Sequence, residues 1–359
     1  MQATIIDNLA QFDALAQPWQ ELAHAADSRP FHEFGWVSSC LHFLGRQDDR
    51  QLRLAVLWAG ERLRAVLPLT VRRHNGVRVL EWIGVQATDY CDALLDPRID
   101  RSAALRALWD ALQRRGGFDV VRLGHVRGDA QINVLLEPLH PWIETLEEAQ
   151  YLPLRWASGS DWLAEQSARM RERVNYGLRR IGKMGYEFHV WEPQEPTTSV
   201  VEAALGQKRA WLETRKLNSF LLDPEGPEFI HACVAAMAAS GSLHLSAIRS
   251  QDRMIACHLG FLRNGILYYY MPTYDAAWSK YGVGTMLRDS LIMWACDRGL
   301  RQFDMLLGAH DYKAQYGVAA EPLRTLALAR GPMGRLALSA YKFLVARARK
   351  AAGHAANPA

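Results

Sequence analysis

The sequence predicts an α/β fold in which one unit, a mixed sheet flanked by helices, occurs twice. In the second half, short polar tips separate three apolar segments in the pattern of a strand meander: 243–249, 253–262 and 266–272. A glycine turn, a helical pattern and an apolar strand follow this meander. The interval from Leu54 to Asp119 has the same order of three strands, a loop, a helix and a strand. We therefore expect two copies of one unit.

Apolar alternation and the positions of glycine and proline predict the elements of the first copy. Pro30 closes a helix from Phe12 to Ala26, and Gly116-Gly117 follows a helix from Ser102 to Arg115, as a C-cap does. An aromatic-rich helical stretch from Phe31 to Leu44 is expected to anchor the core. The predicted strands of this half are 4–8, 51–58, 62–73, 77–83 and 118–123.

Helical spacing and turn signals organise the second half around the meander. A basic helical segment is predicted over 162–183, with Gly182 and Gly185 at its end. Apolar residues between Met286 and Ala295 recur at helical spacing and predict a helix after the glycine turn. The other predicted elements are strand 186–191, helix 200–216, helix 228–239, strand 303–307, strand 323–329 and helix 332–350.

These elements divide the chain into four segments. The first, 1–155, is the N-terminal copy, and it is degenerate because no glycine-rich turn lies between Asp92 and its helix. A basic helical linker region, 156–242, is expected to pack with the C-terminal domain. The C-terminal core, which carries the ligand site, spans 243–331. A basic amphipathic helix and a tail span 332–359.

Composition predicts a soluble globular protein. Of the 359 residues, 49% are hydrophobic and 22% are charged, and no apolar run approaches the ~18–20 residues of a membrane-spanning helix. The N-terminus shows no basic region followed by an apolar core, so no secretory signal is expected. The five cysteines have no CxxC spacing, which argues against zinc and disulfides and fits a reducing cytoplasm. The net charge of +4 favours small anionic ligands over DNA.

The glycine turn is the first candidate binding site. Lys280, Tyr281, Gly282, Val283, Gly284 and Thr285 lie where the chain enters a helix. Glycines admit close approach of a ligand, and the free N–H groups and dipole of a helix N-terminus favour an anion such as phosphate. A plain helix entry with a tight turn is the alternative interpretation.

Two basic helical segments have alternative interpretations. The segment 162–183 carries six cations against Glu165 and Glu172, which fits either a solvated face or a surface that binds a phosphorylated ligand. The terminal helix 332–350 fits either a helix docked on its domain or a peripheral contact with anionic lipid.

The order of motifs in the second half resembles a known family. The chain is similar to the BioF2-like acyltransferases, which include cellulose-biosynthesis proteins of the CelD type and lie in the GNAT superfamily. It also resembles the FemAB/FemX transferases, which have two GNAT-like domains. The residues that carry the resemblance are Ala256–Phe261, Leu267–Tyr270, Tyr274-Asp275, Tyr281–Leu287, Trp294-Ala295, Arg298-Gly299, Phe303–Gly308 and Tyr312-Lys313.

The resemblance implies tandem GNAT-like domains and an acyl-CoA co-substrate, with no metal. In GNAT domains the pyrophosphate lies on a Q/R-x-x-G-x-G/A turn, which aligns with residues 279–284. Ser279 stands where glutamine or arginine is usual, and Lys280 could supply a nearby cation. Strand amides between Tyr269 and Met271, including those of Tyr270 and Met271, are expected to stabilise the oxyanion.

Acyl transfer needs a base for the acceptor and an acid for the leaving thiolate. Asp275 and Asp304 are the candidate bases, since both are predicted near strand ends. Asp304 has a repeat partner in Asp119, which also fits a structural role. Tyr312 is a candidate acid. The motif Tyr312-Lys313-x-x-Tyr316-Gly317 resembles the FemX-like pattern, which implies a cationic Lys313 in the site; a surface lysine is the alternative.

The function expected from this resemblance is acyl-CoA-dependent N- or O-acyl transfer to a sugar, amino sugar or amine, in exopolysaccharide, cellulose or cell-envelope synthesis. The partners would be a small-molecule or glycan acceptor and the polysaccharide-synthesis machinery, at a cytoplasmic or inner-membrane-peripheral location. One alternative is an aminoacyl-tRNA-dependent transferase, and another is a non-catalytic accessory subunit. The sequence contains no HExxH, Walker A or Ser-His-Asp pattern, so hydrolase and nucleotidase functions are not indicated.

Overall fold

The computed structural model describes residues 1–44, 50–251, 253–308 and 311–355, except for the side chains of 145, 146, 311 and 348–355. The chain forms two compact units. Unit 1 comprises Met1–Glu147 and Pro322–Ala359, and unit 2 comprises Glu148–Glu321. The linker region predicted at 156–242 lies within unit 2. The segment from Pro322 onward belongs to unit 1, whereas the sequence boundaries assigned residues up to 331 to the C-terminal core.

The described residues form the following elements. The strands are β1 (Gln2–Ile6), β2 (Arg50–Leu52), β3 (Leu54–Ala59), β4 (Arg62–Leu67), β5 (Leu69–His74), β6 (Val77–Trp82), β7 (Leu94–Leu95), β8 (Val120–Arg127), β9 (Trp142–Pro153), β10 (Glu187–Val190), β11 (Leu243–Ser250), β12 (Arg253–Arg263), β13 (Ile266–Tyr274), β14 (Gln302–Leu307) and β15 (Ala319–Ala329). The α-helices are α1 (Leu9–Asp13), α2 (Ala16–Ala25), α3 (Phe34–Ser39), α4 (Arg101–Arg115), α5 (Asn133–Leu136), α6 (Gly159–Ala164), α7 (Ala168–Lys183), α8 (Thr198–Thr214), α9 (Glu225–Ala239), α10 (Val283–Asp297), α11 (Asp311–Ala314) and α12 (Gly331–Ala355).

Unit 1 contains two sheets that share a core with α4. One sheet has the order β1-β3-β4-β7, and the other contains β15, β8, β6, β5 and β2 in that order. The strand predicted over 62–73 is two strands in different sheets, because Pro68 has no N–H to donate and the chain changes sheets there. Helix α4 begins at Asp100, whose carboxylate accepts the Ala103 N–H at 2.8 Å, and it ends at Gly116 with a φ of 62°.

Unit 2 is built on one sheet with the strand order β10-β11-β12-β13-β14-β9. Its neighbours are antiparallel except for β13 and β14, which are parallel and are connected through α10. Unit 1 has the same arrangement, since β6 and β8 are parallel and α4 lies between them in the chain. The predicted duplication of a strand, helix and parallel strand is therefore present in the structure.

Helix α7 shows how the basic segment folds. Ser167 caps its N-terminus by accepting the Met170 N–H at 3.3 Å, and this cap separates α6 from α7 within the single helix predicted over 162–183. Met170, Val174, Gly177 and Ile181 are buried at the spacing of one helix face. The cations on the other positions remain at the surface.

Two features differ from the elements predicted from the sequence. Strand β9 was not expected, and helix α12 continues to Ala355 rather than ending near 350. Of the tail predicted after residue 350, residues 356–359 lie outside the described part of the chain. Within the described part of the chain, no helix combines the length and the apolar character needed to cross a membrane.

Candidate active site

The candidate site begins where two parallel strands of unit 2 separate. β13 pairs with β14 only from Ile266 to Tyr268, opposite Gln302 to Asp304. β13 nevertheless continues to Tyr274, and β14 continues to Leu307. Beyond Tyr268 the edge of β13 that faces β14 therefore has no ladder partner among the residues that the structure describes, and its main-chain groups can meet a ligand.

A bulge at the end of β14 accompanies this separation. Leu306 has a φ of 58°, a left-handed conformation that is costly for a residue with a side chain. The Asp304 carboxylate accepts the Leu306 N–H at 2.9 Å. The Lys313 ammonium donates to four main-chain carbonyls, those of Met305, Leu306, Leu307 and Gly308, at 2.7–3.2 Å. These side chains hold the strand end in its bulged form.

A cavity of about 620 Å³ lies beside the separated strands, between α8, β13 and the start of α10. Its walls include three cations and no carboxylate, so the cavity favours an anionic ligand. The residues that line it are Gln207, Lys208, Trp211, Arg215, Tyr269, Pro272, Thr273, Tyr274, Ser279, Gly282, Val283, Gly284, Thr285, Arg288 and Tyr312.

The N-terminus of α10 forms one wall of the cavity. Gly282 has a φ of 68°, which only glycine adopts without strain, and its N–H donates to the Ser279 carbonyl at 3.0 Å. The N–H groups of Val283 and Gly284 make no main-chain hydrogen bond with the described residues. A Cβ atom at Gly284 would lie 3.1 Å from the Tyr274 ring, so the glycine also permits close packing.

Arg288 is the most buried of the three cations, with 6% of its surface exposed. Its guanidinium carbon lies 4.4 Å from the ring centroid of Tyr312 and 5.0 Å from that of Tyr316, and its Nε donates to the Tyr316 hydroxyl at 3.0 Å. No carboxylate forms an ion pair with Arg288 among the described residues. Its charge therefore remains available to a ligand in the cavity.

A second layer of contacts fixes the orientation of Arg288. The Tyr316 hydroxyl donates to Asp289 at 2.5 Å, and Arg173 forms an ion pair with the same carboxylate at 3.2 Å. Arg173 also donates to the Gln315 side chain at 2.6 Å. Burial raises the pKa of Asp289, against the opposing effects of Tyr316 and Arg173. Asp289 thus positions Tyr316, which in turn positions Arg288.

Of the residues predicted to be catalytic, Tyr312 lines the cavity, and burial raises the pKa of its phenol. Asp275 does not line it; its carboxylate caps the turn at Ala277 and lies 3.4 Å from Arg253. Asp304 and Lys313 are also absent from the lining. Asp304 accepts from the Leu306 N–H and from the Gln302 side chain, and Lys313 donates to the carbonyls of the β14 bulge. A direct chemical role for either residue stays a prediction.

The residues predicted to bind the donor divide into two groups. Gly282, Val283, Gly284 and Thr285 line the cavity together with Ser279. The other four do not: Tyr270 contacts Phe261, Met271 is buried in the sheet, Lys280 lies over Tyr281, and Tyr281 lies under Arg180.

Sequence reasoning assigned no role to Arg288, Lys208 or Arg215. Arg288 is four residues after Gly284, so helical spacing places both on the same face, and this signal was present in the sequence. Lys208 lies on α8 and Arg215 is its C-cap, and the two cations lie 4.7 and 4.9 Å from the Trp211 ring centroid. Their approach to the cavity depends on tertiary packing and has no local signal.

Comparison with known proteins agrees with this geometry. Residues 168–314 match a family model described as an acetyltransferase (GNAT) domain. This part of the chain therefore carries a GNAT-type acyltransferase domain, as the sequence predicted. No curated protein matches the chain. No cluster of histidine, cysteine and carboxylate side chains suited to a metal ion occurs among the described residues.

Solved structures share the fold over nearly the whole chain. FemX has a TM-score of 0.57 at 10% identity, covering 90% of this chain and 97% of FemX. L-PGS from Bacillus licheniformis has a TM-score of 0.58 at 14% identity, covering 92% and 96%. The C-terminal domain of a putative lysylphosphatidylglycerol synthetase from Agrobacterium fabrum has 0.57 at 13%, covering 93% and 96%. At such identities the likeness shows the fold alone, and it agrees with the tandem GNAT-like architecture predicted from the sequence.

Proposed function

We propose that this chain, in which residues 168–314 match a GNAT acetyltransferase domain, transfers an acyl group from acyl-CoA to an amine or hydroxyl acceptor at the cavity of unit 2. One observation carries this proposal. β13 beyond its pairing with β14, the N-terminus of α10 and three cations without a described ion pair all line one cavity. An acyl thioester on a phosphate-bearing carrier needs hydrogen-bond donors for its carbonyl oxygen and positive charge for its phosphates.

The phosphates of the donor are assigned to the N-terminus of α10. The N–H groups of Val283 and Gly284 and the helix dipole favour an anion there. Ser279 supplies no charge at the position where GNAT turns usually have glutamine or arginine. Arg288 enters the same cavity from the next helical turn, within 3.5 Å of the Thr285 hydroxyl, and we assign it the missing cationic role.

The acyl carbonyl is assigned to the gap between the strands. The ladder between β13 and β14 ends at Tyr268, and we assign stabilisation of the developing oxyanion to main-chain N–H groups of β13 beyond this point. Tyr312 lines the same cavity, and its raised pKa keeps the phenol protonated near neutral pH. We assign Tyr312 the transfer of this proton to the departing thiolate.

For the acceptor we propose an amine or hydroxyl group of a sugar or amino sugar in envelope or exopolysaccharide synthesis. The resemblance to the CelD-type proteins supports this choice. Mass spectrometry of products formed from acetyl-CoA and a panel of amino sugars tests it, since acetylation raises the acceptor mass by one acetyl group. Transfer to simple alkylamines alone would contradict a sugar acceptor.

Aminoacyl-tRNA is the second candidate donor. It is favoured by the exposed cations Arg169, Arg171, Arg179 and Lys183 on α7 and by the fold shared with FemX and a lysylphosphatidylglycerol synthetase. Calorimetric titrations of the full chain with acetyl-CoA and with aminoacyl-tRNA distinguish the donors. We expect saturable binding of acetyl-CoA. Binding of aminoacyl-tRNA without binding of any acyl-CoA would replace the first proposal with the second.

A further inference from the structure

One face of helix α12 docks on unit 1. Gly334 and Leu338 are buried, and a Cβ atom at Gly334 would lie 1.9 Å from the Asp119 carbonyl oxygen, so the helix backbone approaches this point closely. The Tyr341 hydroxyl donates to the Glu144 carboxylate at 2.7 Å. These contacts fix which side of α12 points outward.

The opposite face is apolar and exposed. Met333, Leu336, Phe343 and Leu344 have 60–69% of their surface exposed. At 3.6 residues per turn, these four side chains and Ala340 fall within an arc of ~100°, which is the width of an apolar helix stripe that normally faces a core. Four large apolar side chains together form a contiguous surface of the kind that marks an interaction site.

The charges around this stripe have one sign. The helix sequence from 331 to 355 contains five lysine and arginine residues and no aspartate or glutamate. Arg335, Lys342 and Arg347 are exposed. At 3.6 residues per turn, Arg335 and Lys342 fall between the stripe and the docked face, and Arg347 falls within the arc of the stripe, one turn after Leu344. On the side between the stripe and the docked face, Lys342 lies 5.4 Å over the Trp142 ring, which packs edge to face with Tyr341. Aromatic and basic side chains beside an apolar stripe are typical of a helix that lies at a membrane interface.

We propose that the exposed face of α12 binds an anionic lipid surface, with the helix lying in the plane of the interface. The apolar stripe enters the boundary between headgroups and acyl chains, and the cations contact the headgroups. A second copy of the chain fits less well, because pairing two such helices would bring ten cations together without a carboxylate from either helix. The surface lies on unit 1, so this proposal does not depend on the donor site of unit 2.

Vesicle co-sedimentation of the full chain tests the proposal. The probes are vesicles of phosphatidylcholine alone and vesicles that contain phosphatidylglycerol as well. We expect at least about tenfold tighter binding to the anionic vesicles, because each lysine or arginine near an anionic surface adds to the free energy of binding. The difference should decrease as salt is raised. Equal binding to both vesicles, or binding to neither, overturns the proposal.

Variants of the apolar stripe and of the cations beside it separate the apolar contribution to vesicle binding from the electrostatic one. Leu336→Asp with Phe343→Asp should weaken binding to anionic vesicles at least about tenfold, because two large apolar side chains no longer enter the interface. Leu9→Asp changes a leucine that is 49% exposed on another helix of unit 1, and it should leave binding unchanged. Arg335→Gln with Lys342→Gln should weaken binding to anionic vesicles but not to neutral ones.

Two measurements keep the result interpretable. Circular dichroism and thermal melting establish that each variant is folded, and all four substituted residues of α12 are exposed, so melting should be unchanged. Light scattering gives the oligomeric state. If the wild type is a dimer and the Leu336→Asp, Phe343→Asp variant is a monomer, a second copy covers the face and the lipid proposal is wrong. If the folded variant binds vesicles as tightly as the wild type, another surface is responsible.

Discussion

Replacing Arg288 by glutamine should weaken donor binding with little effect on the fold. Arg288 is 6% exposed, faces the cavity and has no ion-pair partner among the described residues, so its charge is free to bind a phosphate. A hydrogen bond to a charged group contributes ~1.5–3 kcal/mol. Arg288→Gln should therefore raise the Kd for CoA roughly 10- to 150-fold, measured by calorimetry at low salt.

The same substitution has opposing effects on stability. It removes two cation–π contacts, each worth ~0.5–2 kcal/mol, but it also removes a buried charge that lacks a carboxylate partner. These terms offset each other, and we expect the free energy of unfolding to change by less than about 2 kcal/mol. Urea denaturation measures this change. A large rise in the Kd for CoA with a small change in the free energy of unfolding would show that Arg288 acts in ligand binding rather than in stability.

Two controls define the outcome. Arg298→Gln makes the same charge change at the C-cap of α10, where the side chain is 56% exposed, and it should change the Kd for CoA less than about twofold. S-acetylpantetheine lacks the pyrophosphate, so its affinity should be the same for wild type and Arg288→Gln. A folded Arg288→Gln protein that binds CoA as tightly as the wild type would refute the assignment of Arg288 to the phosphates.

Three further substitutions have expected outcomes. Tyr312→Phe should lower kcat for acetyl transfer by about 10²-fold while changing KM little, because it removes the proposed proton donor; unchanged kcat in a steady-state thiol-release assay would exclude that role. Lys313→Met should lower the free energy of unfolding by ~2–4 kcal/mol in urea, since four carbonyls lose a charged donor; loss of activity at unchanged stability would instead indicate a direct catalytic role. Burial lowers the pKa of His244 to about 3, so the unfolded chain binds its proton first, and stability falls by up to ~1.4 kcal/mol per pH unit as pH decreases from 6.5 toward 3. His244→Phe should reduce this slope in urea titrations, and an equal slope in both proteins would show that His244 is not its source.

Local patterns account for what the sequence predicted correctly. The meander of β11, β12 and β13 has polar tips and apolar segments, and the entry into α10 has glycines at a helix start, so both are visible within short windows. The duplicated parallel pair was visible because it repeats the same order of elements. These features were predictable because each is encoded within one segment of the chain or in the order of the segments.

Features that depend on distant contacts were not predictable in this way. The separation of β4 from β5 at Pro68 depends on which sheet each strand joins, and β9 contains charged residues that do not form a simple alternation. Lys313 donates to carbonyls of a bulge whose left-handed residue is Leu306, and no residue type at that position signals such a conformation. The resemblance singled out Lys313 as a site residue, but only the structure shows which atoms it contacts.

The central claim is that the N-terminus of α10 binds the phosphates of an acyl-CoA donor. Gly284 tests it most directly, because it lines the cavity and a Cβ atom there would already lie 3.1 Å from the Tyr274 ring. A calorimetric titration of CoA into wild type and into Gly284→Trp is the decisive measurement, with melting as the check of folding. We predict saturable binding to the wild type and none to a folded Gly284→Trp protein. Equal binding to both proteins would show that the donor binds elsewhere and would contradict the proposed site.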